Sequence, residues 1–335
     1  MSSKFLKMGF LCLMLFVIPL VGCNKSGGGS AAVPQGLQMS SAVQAAWPNN
    51  GIDPNRLQFV NIVSPNESWV QAESNVLYYS PKAVAVDNGN NLLYTVHSRY
   101  ITVTNLSTGV MKNFVIAEGG AGIDVSATGE VYVAFPLQKK ILVYNSDGTL
   151  ARTLDGAGRF VNPNDVLIDK NLNRLYVCDS KKPEVSAWTL DGQFLFSFEN
   201  SQSAPLGAPL QAAINSQGNI YVLQWGSQYV LIYDSNGKFI RSFGTQGTRS
   251  GQFVHPKGIA IDSDDNVYIV DNMTCTLQIF NSQDKLCLWI NEGQGFDPGQ
   301  LRGPGMLAFD SHDRLFIPEY ANNRTQVLQY LKVNQ

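Results

Sequence analysis

The stretch that decides the fold is residues 256–271, PKGIAIDSDDNVYIVD. It holds two short runs of β-branched and aromatic residues, GIAI and VYIV, separated by a polar turn, which is the pattern of a β-hairpin. A third run of the same kind, LQIF at 277–280, follows after a second polar loop. Three short strands with Asp/Asn turns between them indicate an antiparallel sheet.

The same unit occurs six times at a spacing of 39 to 48 residues. The units begin with PKAVAVD at 81, GAGIDVS at 120, PNDVLID at 163, PLQAAIN at 209, PKGIAID at 256 and PGMLAFD at 304. Most units add a fourth run, such as KFIRSFG at 238–244. Repeated four-stranded sheets closed into a ring leave no long sheet edge exposed. The sequence therefore predicts an all-β fold, a six-bladed β-propeller of four-stranded antiparallel blades over residues 57–335.

The two ends of this region indicate how the ring closes. The sixth unit ends after its third strand, at Tyr330, and the run LQFVNIV at 57–63 precedes the first unit without a unit of its own. We expect 57–63 to pair with 325–330, so that an N-terminal strand completes the last blade.

Residues 244–271, GTQGTRSGQFVHPKGIAIDSDDNVYIVD, resemble the NHL repeat, in which a Gly-rich loop leads into P-x-G-φ-A-φ-D and then φ-Y-φ-x-D. The run GQLRGP at 299–304 repeats the loop. The resemblance covers residues 57–330 and is weakest in the second unit, where Gly120 and Ser126 replace the Pro and Asp. It implies a six-bladed propeller and no single function, because the family contains scaffolds, RNA binders and enzymes.

The N-terminus carries a targeting signal. Lys4 and Lys7 precede an apolar stretch at 8–20 that is too short to span a bilayer, as in a signal peptide. The following LVGC resembles a bacterial lipobox, which implies a signal peptide at 1–22 and lipidation of Cys23. Residues 23–56 are then the lipidated Cys, a Gly/Ser-rich tether and a lead-in. The resemblance implies an extracytoplasmic protein bound to a membrane by its lipid anchor, with the outer membrane favoured in a Gram-negative organism because Asn24 is not Asp.

Composition excludes some functions. The chain has 335 residues, a net charge of −2 and 15% charged residues. Because no bulk positive charge is present, we expect no nucleic-acid partner. Only three histidines occur, His97, His255 and His312, which limits any His-rich metal site.

The residue that ends the second strand differs from unit to unit. The six residues are His97, Phe135, Asp179, Gln224, Asp271 and Glu319. Such a mixed set does not suggest a shared catalytic centre, and acids at this position commonly make hydrogen bonds between blades. We expect these residues, and also His255, to have structural roles.

Enzymes that resemble this chain hold a metal at the centre of the ring. The positions after the first residue of each unit are Lys82, Ala121, Asn164, Leu210, Lys257 and Gly305. Amidating lyases place zinc-binding histidines there, and lactonases of the gluconolactonase type use a Glu/Asn/Asn/Asp set. Only Asn164 and Asp165 resemble part of the lactonase set. We therefore expect no catalytic residue, metal or cofactor, and a lactonase- or lyase-type enzyme with a divergent metal site at Asn164 and Asp165 is the alternative.

Basic and aromatic residues concentrate in the loops between the second and third strands, on the face where the innermost strands begin. This pattern predicts a cationic, aromatic surface that binds an envelope protein, so that the propeller acts as a protein-binding scaffold. One alternative is an envelope glycan-binding module whose partner is an anionic polysaccharide. The other is that the loop lysines are simply solvated and the aromatic residues cap the blades. The candidate binding residues are Lys82, Arg99, Tyr100, Lys139, Lys140, Asn164, Lys181, Lys182, Trp225, Tyr229, Lys257, Tyr320 and Arg324.

Overall fold

A computed structural model describes residues 57–68, 70–72 and 76–332. The expected signal peptide at 1–22, Cys23 and the tether at 23–56 lie outside the described residues. In the ranges that are described, no helix is long and apolar enough to cross a membrane.

The described chain forms six antiparallel sheets, one for each repeat, with strands numbered in chain order. The first two strands are β1 (Leu57–Val63) and β2 (Gln71–Ala72). Blade 1 contains β3 (Ala83–Asp87), β4 (Leu92–Val96), β5 (Tyr100–Asn105) and β6 (Val110–Val115), with β2 added in parallel to β6. Blade 2 contains β7 (Ile123–Val125), β8 (Val131–Phe135), β9 (Lys140–Tyr144) and β10 (Leu150–Leu154). A 3₁₀ turn at Gly156–Gly158 follows.

The remaining blades repeat the pattern. Blade 3 contains β11 (Pro163–Asp169), β12 (Arg174–Asp179), β13 (Glu184–Thr189) and β14 (Phe194–Ser197). Blade 4 contains β15 (Ala208–Ile214), β16 (Ile220–Trp225), β17 (Val230–Tyr233) and β18 (Phe239–Phe243). The short parallel pair β19 (Thr245–Gln246) and β20 (Gln252–Phe253) precedes blade 5, which contains β21 (Pro256–Ile261), β22 (Val267–Asp271), β23 (Thr276–Phe280) and β24 (Leu286–Ile290). Blade 6 contains β25 (Ala308–Phe309), β26 (Arg314–Glu319), β27 (Arg324–Tyr330) and β1.

The predicted closure of the ring is confirmed. β1 is the outermost strand of blade 6 and pairs antiparallel with β27, in a register that runs from Leu57 opposite Tyr330 to Val63 opposite Thr325. Blades 6 and 1 also meet near the centre, where the amide of Met306 donates to the carbonyl of Lys82 at 2.9 Å. Both ends of the propeller are therefore tied into one blade, which leaves no free edge at the junction.

The second strand of every blade buries an aromatic ring against the next blade. These rings belong to Tyr94, Tyr132, Tyr176, Tyr221, Tyr268 and Phe316. Each belongs to a different one of six apolar clusters, which lie between consecutive blades around the ring. Because burial of one large side chain stabilises by roughly 1.5–3 kcal/mol, the repeated φ-Y-φ motif is a main source of inter-blade adhesion.

The residues that end the second strands hold the connection arriving from the preceding blade. The Asp179 carboxylate accepts from the amides of Val161 and Asn162 at 2.6 and 2.8 Å. In blade 5, Asp271 accepts from the amides of Val254 and His255 at 2.7 and 2.9 Å.

The equivalent residues of blades 1 and 6 do the same. The Glu319 carboxylate accepts from the amide of Arg302 at 3.1 Å, and His97 Nδ1 donates to the carbonyl of Tyr79 at 2.8 Å. The expected structural role of this mixed set is therefore confirmed for these members.

Candidate functional site

The innermost strands all begin on one face of the ring, here called the upper face, and the loops between second and third strands lie on the same face. Around the mouth of the central channel, this face holds a cavity of about 310 Å³, here called the upper cavity. Its described lining is Ser80, Lys82, Ala121, Asn164, Lys257, Asn272, Pro304, Gly305, Met306 and Tyr320. Four of the candidate binding residues, Lys82, Asn164, Lys257 and Tyr320, are thus brought together in one cavity.

The two lysines of the upper cavity are half-buried and unpaired. Lys82 directly precedes β3 and Lys257 is the second residue of β21, so the rigid innermost strands place both. Within the described part of the chain, neither ammonium group has an ion pair or a hydrogen-bond acceptor. Burial lowers the pKa of both side chains, and the charge of Lys82 further lowers the pKa of Lys257. Charges that are partly removed from water without a counter-charge cost free energy, which marks them as candidates for a ligand site.

Two asparagines of the lining bridge neighbouring blades. The Asn164 side-chain amide donates to the carbonyl of Leu210 at 2.6 Å, which links blades 3 and 4. The Asn272 amide donates to the carbonyl of Pro304 at 3.1 Å, which links blades 5 and 6. Both side chains are therefore held in place, and the walls of the cavity are preorganised.

The predicted basic loop residues fall into two groups. Arg99 lies 2.7 Å from the Glu118 carboxylate, and Lys182 lies 2.8 Å from that of Glu184. Lys139, Lys140 and Lys181 are exposed and make no ion pair with any described residue. Of these loop residues, the second group adds free positive charge to the upper face, beside the unpaired Lys82 and Lys257 of the cavity.

Apolar side chains are also exposed at the tips of these loops. Trp225 and Tyr320, both predicted, are 44% and 47% exposed. Leu137 and Met273 occupy equivalent loops of blades 2 and 5 and are 82% and 67% exposed, although the sequence analysis did not single them out. Their only sequence signal is a large apolar residue at the tip of a polar loop. Trp225 also packs edge-on against His255, with ring centroids 4.4 Å apart.

Three further candidate binding residues lie beneath the loops of the upper face. Arg324 is buried, pairs with Glu319 and donates to backbone carbonyls of the loop before blade 6. Tyr229 is buried against Phe253. Tyr100 is half-buried, and its hydroxyl accepts from the amide of Tyr79 at 3.0 Å. These side chains support the loops from below instead of adding to the exposed surface.

The residues of the alternative metal site are occupied by contacts within the protein. The Asp165 carboxylate is buried below the upper cavity and accepts from the Ala212 amide at 3.0 Å, and burial raises its pKa well above the usual range. A hard cation requires several converging anionic oxygens. Among the residues that the structure describes, no group of three or more His, Cys, Asp or Glu side chains is placed to hold a metal ion. The donors at Asn164 and Asp165 therefore do not fit the lactonase metal.

Further down, the channel holds a second cavity of about 170 Å³, here called the lower cavity, lined in part by Asp124, Asp165 and Gln211. Asp124 accepts from the Ile168 amide at 2.7 Å. Gln211 accepts from the amide of Ile259 at 2.8 Å and donates to the carbonyl of Leu307 at 2.8 Å. These three polar side chains of the lower cavity thus satisfy backbone groups of other blades.

Comparisons with known proteins agree with the fold. A family model described as "6-bladed beta-propeller" matches residues 198–285. The chain is 26% identical over 160 residues to NHL repeat-containing protein 3 of Homo sapiens, a match that covers 43% of this chain and 45% of the relative. It is 24% identical over 128 residues to Protein brain tumor of Drosophila melanogaster, covering 37% of this chain and 12% of that protein. The chain therefore spans less than half the length of these relatives, and it is a six-bladed β-propeller with NHL repeat-containing homologues.

Two solved structures of enzymes share the architecture. Virginiamycin B lyase from Staphylococcus aureus superposes with a TM-score of 0.55 at 13% identity, covering 82% of this chain and 98% of that one. A gluconolactonase from Xanthomonas campestris superposes with a TM-score of 0.58 at 19% identity, covering 75% of this chain and 87% of that one. At these identities the similarity shows the fold alone.

Proposed function

We propose that this protein is a protein-binding scaffold and that the upper face is the surface that binds its partner. The observation that carries the proposal is the pair of half-buried, unpaired lysines in the upper cavity, Lys82 and Lys257. A propeller with NHL repeat-containing homologues supports a role in protein interaction in general. The choice of face and of partner chemistry rests on the charges and exposed side chains of this chain.

The upper face combines two features that protein interfaces use. Lys139, Lys140 and Lys181 provide free positive charge, which steers an acidic partner toward the face. Trp225 and Tyr320 provide exposed aromatic area near the channel mouth, and aromatic residues are enriched among those that dominate binding energy. The partner that fits is a protein with an acidic surface and apolar contacts at its centre.

The place of this interaction follows from the N-terminal sequence. If Cys23 is lipidated, as LVGC at 20–23 implies, the propeller is held outside the cytoplasm at a membrane, with the outer membrane favoured in a Gram-negative cell. The partner is then a protein of the cell envelope.

The enzymatic alternative has less support. Structural neighbours include a lyase and a gluconolactonase, but the Asn164 amide and the Asp165 carboxylate are both bound to the backbone of blade 4. A glycan-binding module would use the same exposed Trp225 and Tyr320, and its test is whether envelope polysaccharide competes with the protein partner.

Cross-linking in cells with mass spectrometry tests the proposal on the full-length, natively processed chain. The test variant is Lys139→Glu/Lys140→Glu/Lys181→Glu, and the matched control is Lys112→Glu/Lys238→Glu/Lys285→Glu, which reverses three exposed lysines away from the upper-face loops. We expect one envelope protein to be captured by the wild type and the control and at least tenfold less by the test variant. Equal capture by all three proteins, or competition by polysaccharide alone, contradicts the proposal.

A further inference from the structure

The two lysines of the upper cavity flank a position that has no side chain. Lys257 in blade 5 and Lys82 in blade 1 occupy equivalent positions, and the equivalent residue of blade 6, which lies between them, is Gly305. A Cβ at Gly305 would collide with the Lys82 carbonyl oxygen, so the backbone contact between blades 6 and 1 requires glycine here. Gly305 lines the upper cavity together with the two lysines.

No acidic residue neutralises this positive centre. The described residues that line the upper cavity include no Asp or Glu. The acids that end the second strands of blades 5 and 6 are engaged elsewhere: Asp271 accepts from four backbone amides, and Glu319 pairs with Arg324. The positive charge of the cavity is therefore available to an anion from outside.

The walls of the cavity suit an anion carried on a short apolar stem. Met306 and Tyr320 supply apolar and aromatic surface beside the lysines, and the inter-blade hydrogen bonds of Asn164 and Asn272 hold the rim. The described lining holds no arginine, whose planar fork is the usual bidentate partner of phosphate. The volume of about 310 Å³ has room for a side chain.

We propose that the upper cavity is a carboxylate-binding site, in which Lys82 and Lys257 bind the carboxylate of an Asp or Glu side chain of the partner protein. This inference rests on the proposed function, because carboxylates are the side-chain anions that an unmodified protein presents at neutral pH. Two charge-assisted hydrogen bonds to one carboxylate would supply the counter-charge that this site lacks.

The first experiment measures binding of small probes to the full-length protein by calorimetry or NMR titration. The probes are the blocked peptide Gly-Glu-Gly, its Gln analogue, free glutarate and inorganic phosphate. The test variant is Lys82→Met/Lys257→Met, and the control is Lys238→Met/Lys285→Met, which removes the same charge from exposed turns away from the upper face. Methionine keeps the length of the side chain, so the cavity stays filled.

We expect the wild type and the control to prefer the Glu peptide to the Gln peptide by at least tenfold, and the test variant to lose this preference. Equal binding of the two peptides, or an unchanged preference in Lys82→Met/Lys257→Met, overturns the inference. Binding of phosphate alone overturns the assignment to carboxylate. Glutarate binding tenfold tighter than the Glu peptide identifies a free dicarboxylate as the ligand and overturns the assignment to a partner side chain.

The cross-linking experiment separates this inference from the proposed function. If Lys82→Met/Lys257→Met still captures the partner that the loop variant loses, the scaffold proposal stands and the carboxylate inference is wrong. If the Glu peptide binds but no variant affects capture of any envelope protein, the carboxylate site is retained and the scaffold proposal is wrong.

Discussion

The two ends of the central channel are built from the same innermost strands, but they differ in whether their most buried charged or polar side chains have a partner. In the lower cavity, Asp124, Asp165 and Gln211 each accept a hydrogen bond from a backbone amide of the next blade. At the upper end, Lys82 and Lys257 are half-buried, and their ammonium groups have no partner in the described chain. Both ends bridge neighbouring blades, the upper one through Asn164 and Asn272, but the upper cavity also holds half-buried charges without a partner.

This difference separates polar residues that stabilise the fold from charged residues that bind a ligand, although both kinds belong to the innermost part of the repeat. A buried polar side chain with a backbone partner stabilises the fold, and removing it leaves that backbone group unsatisfied. A half-buried charge without a partner costs stability, and its retention points to a ligand. Substitutions at the lower end should therefore change stability, whereas substitutions at the upper end should change binding.

The largest effect on stability is expected at Gln211, a residue of blade 4 that forms hydrogen bonds with the backbone of blades 5 and 6. Gln211→Ala leaves the amides of Ile259 and Leu307 and the carbonyl of Leu307 without their partner. At roughly 1–3 kcal/mol for an unsatisfied buried group, we expect a loss of about 3 kcal/mol in the free energy of unfolding. Urea denaturation measures it.

The control is Gln217→Ala, the same change on an exposed turn of blade 4, which should stay within about 0.5 kcal/mol of the wild type. If both variants unfold at the same urea concentration, the lower cavity does not have the structural role assigned to it.

His97 extends the comparison, because it lies at the upper end but is buried and hydrogen-bonded like the polar side chains of the lower cavity. It is buried, Nδ1 donates to the Tyr79 carbonyl, and Nε2 lies 3.0 Å from the Thr102 hydroxyl. Burial lowers its pKa from 6.5 to about 4. Because the pKa is lowered, the contribution of neutral His97 to the free energy of unfolding is fully present above pH 6.5 and is lost as pH falls toward 4. The loss is about 3 kcal/mol, at 1.36 kcal/mol per pKa unit.

Urea denaturation between pH 7 and pH 4 tests this effect in the wild type and in His97→Gln, which has no ring to protonate. We expect the variant to lose less stability than the wild type over this range. His312→Gln, in an exposed turn, serves as the control and should follow the wild type. Parallel curves for the wild type and His97→Gln would show that His97 does not set the acid limit of the fold.

Asp165 gives a smaller effect of the opposite sign. Burial raises the pKa of its carboxyl well above the usual range, with a further contribution from the charge of Asp124. A raised pKa means that stability is fully present below the unfolded pKa and is lost as pH rises. Asp165→Asn keeps an oxygen for the Ala212 amide and removes the charge.

We therefore expect Asp165→Asn to be more stable than the wild type at pH 7, by on the order of 1 kcal/mol, and equally stable at pH 3. Thermal unfolding at the two pH values measures the difference. A variant that is less stable at pH 7 would indicate that an ionised Asp165 stabilises the native state.

The fold could be predicted from the sequence because its signals are local and repeated. The φ-Y-φ runs that place Tyr94 and Tyr268 between blades are strand patterns, and the unpaired run at 57–63 matched the strand missing from blade 6. The two lysines of the site could also be predicted from the sequence, since each follows the proline that opens its repeat.

The rest of the site could not be predicted, because it depends on which loop side chains are buried and which are exposed, and the local sequence does not determine this. Arg324 looked like a free basic residue, but it pairs with Glu319 beneath the loop before blade 6. Leu137 and Met273 looked like ordinary apolar residues, but the loops hold them in solvent. Gln211 gave no signal, because its partners are backbone groups far along the chain, in blades 5 and 6.

The smallest effect on stability is expected for Lys82→Met/Lys257→Met, although its effect on binding is the largest proposed here. Burial lowers the pKa of both lysines in the folded protein. Their contribution to the free energy of unfolding therefore becomes more favourable as pH rises, up to about 10.5, where the lysines of the unfolded chain also lose their charge. Removing the charges should leave the free energy of unfolding at pH 7 unchanged or raise it by less than about 1 kcal/mol.

Urea denaturation at pH 7 and pH 10 checks this, with Lys139→Met/Lys140→Met as the control. Buried tyrosines with raised pKa values lower the stability of all three proteins alike at pH 10. Relative to Lys82→Met/Lys257→Met, the wild type and the control should therefore become more stable between pH 7 and pH 10. A marked destabilisation of the test variant at pH 7 would mean that these lysines hold the ring together, as the polar groups of the lower cavity do. The contrast between the two ends of the channel would then be lost, and with it the reason to place a partner on the upper face.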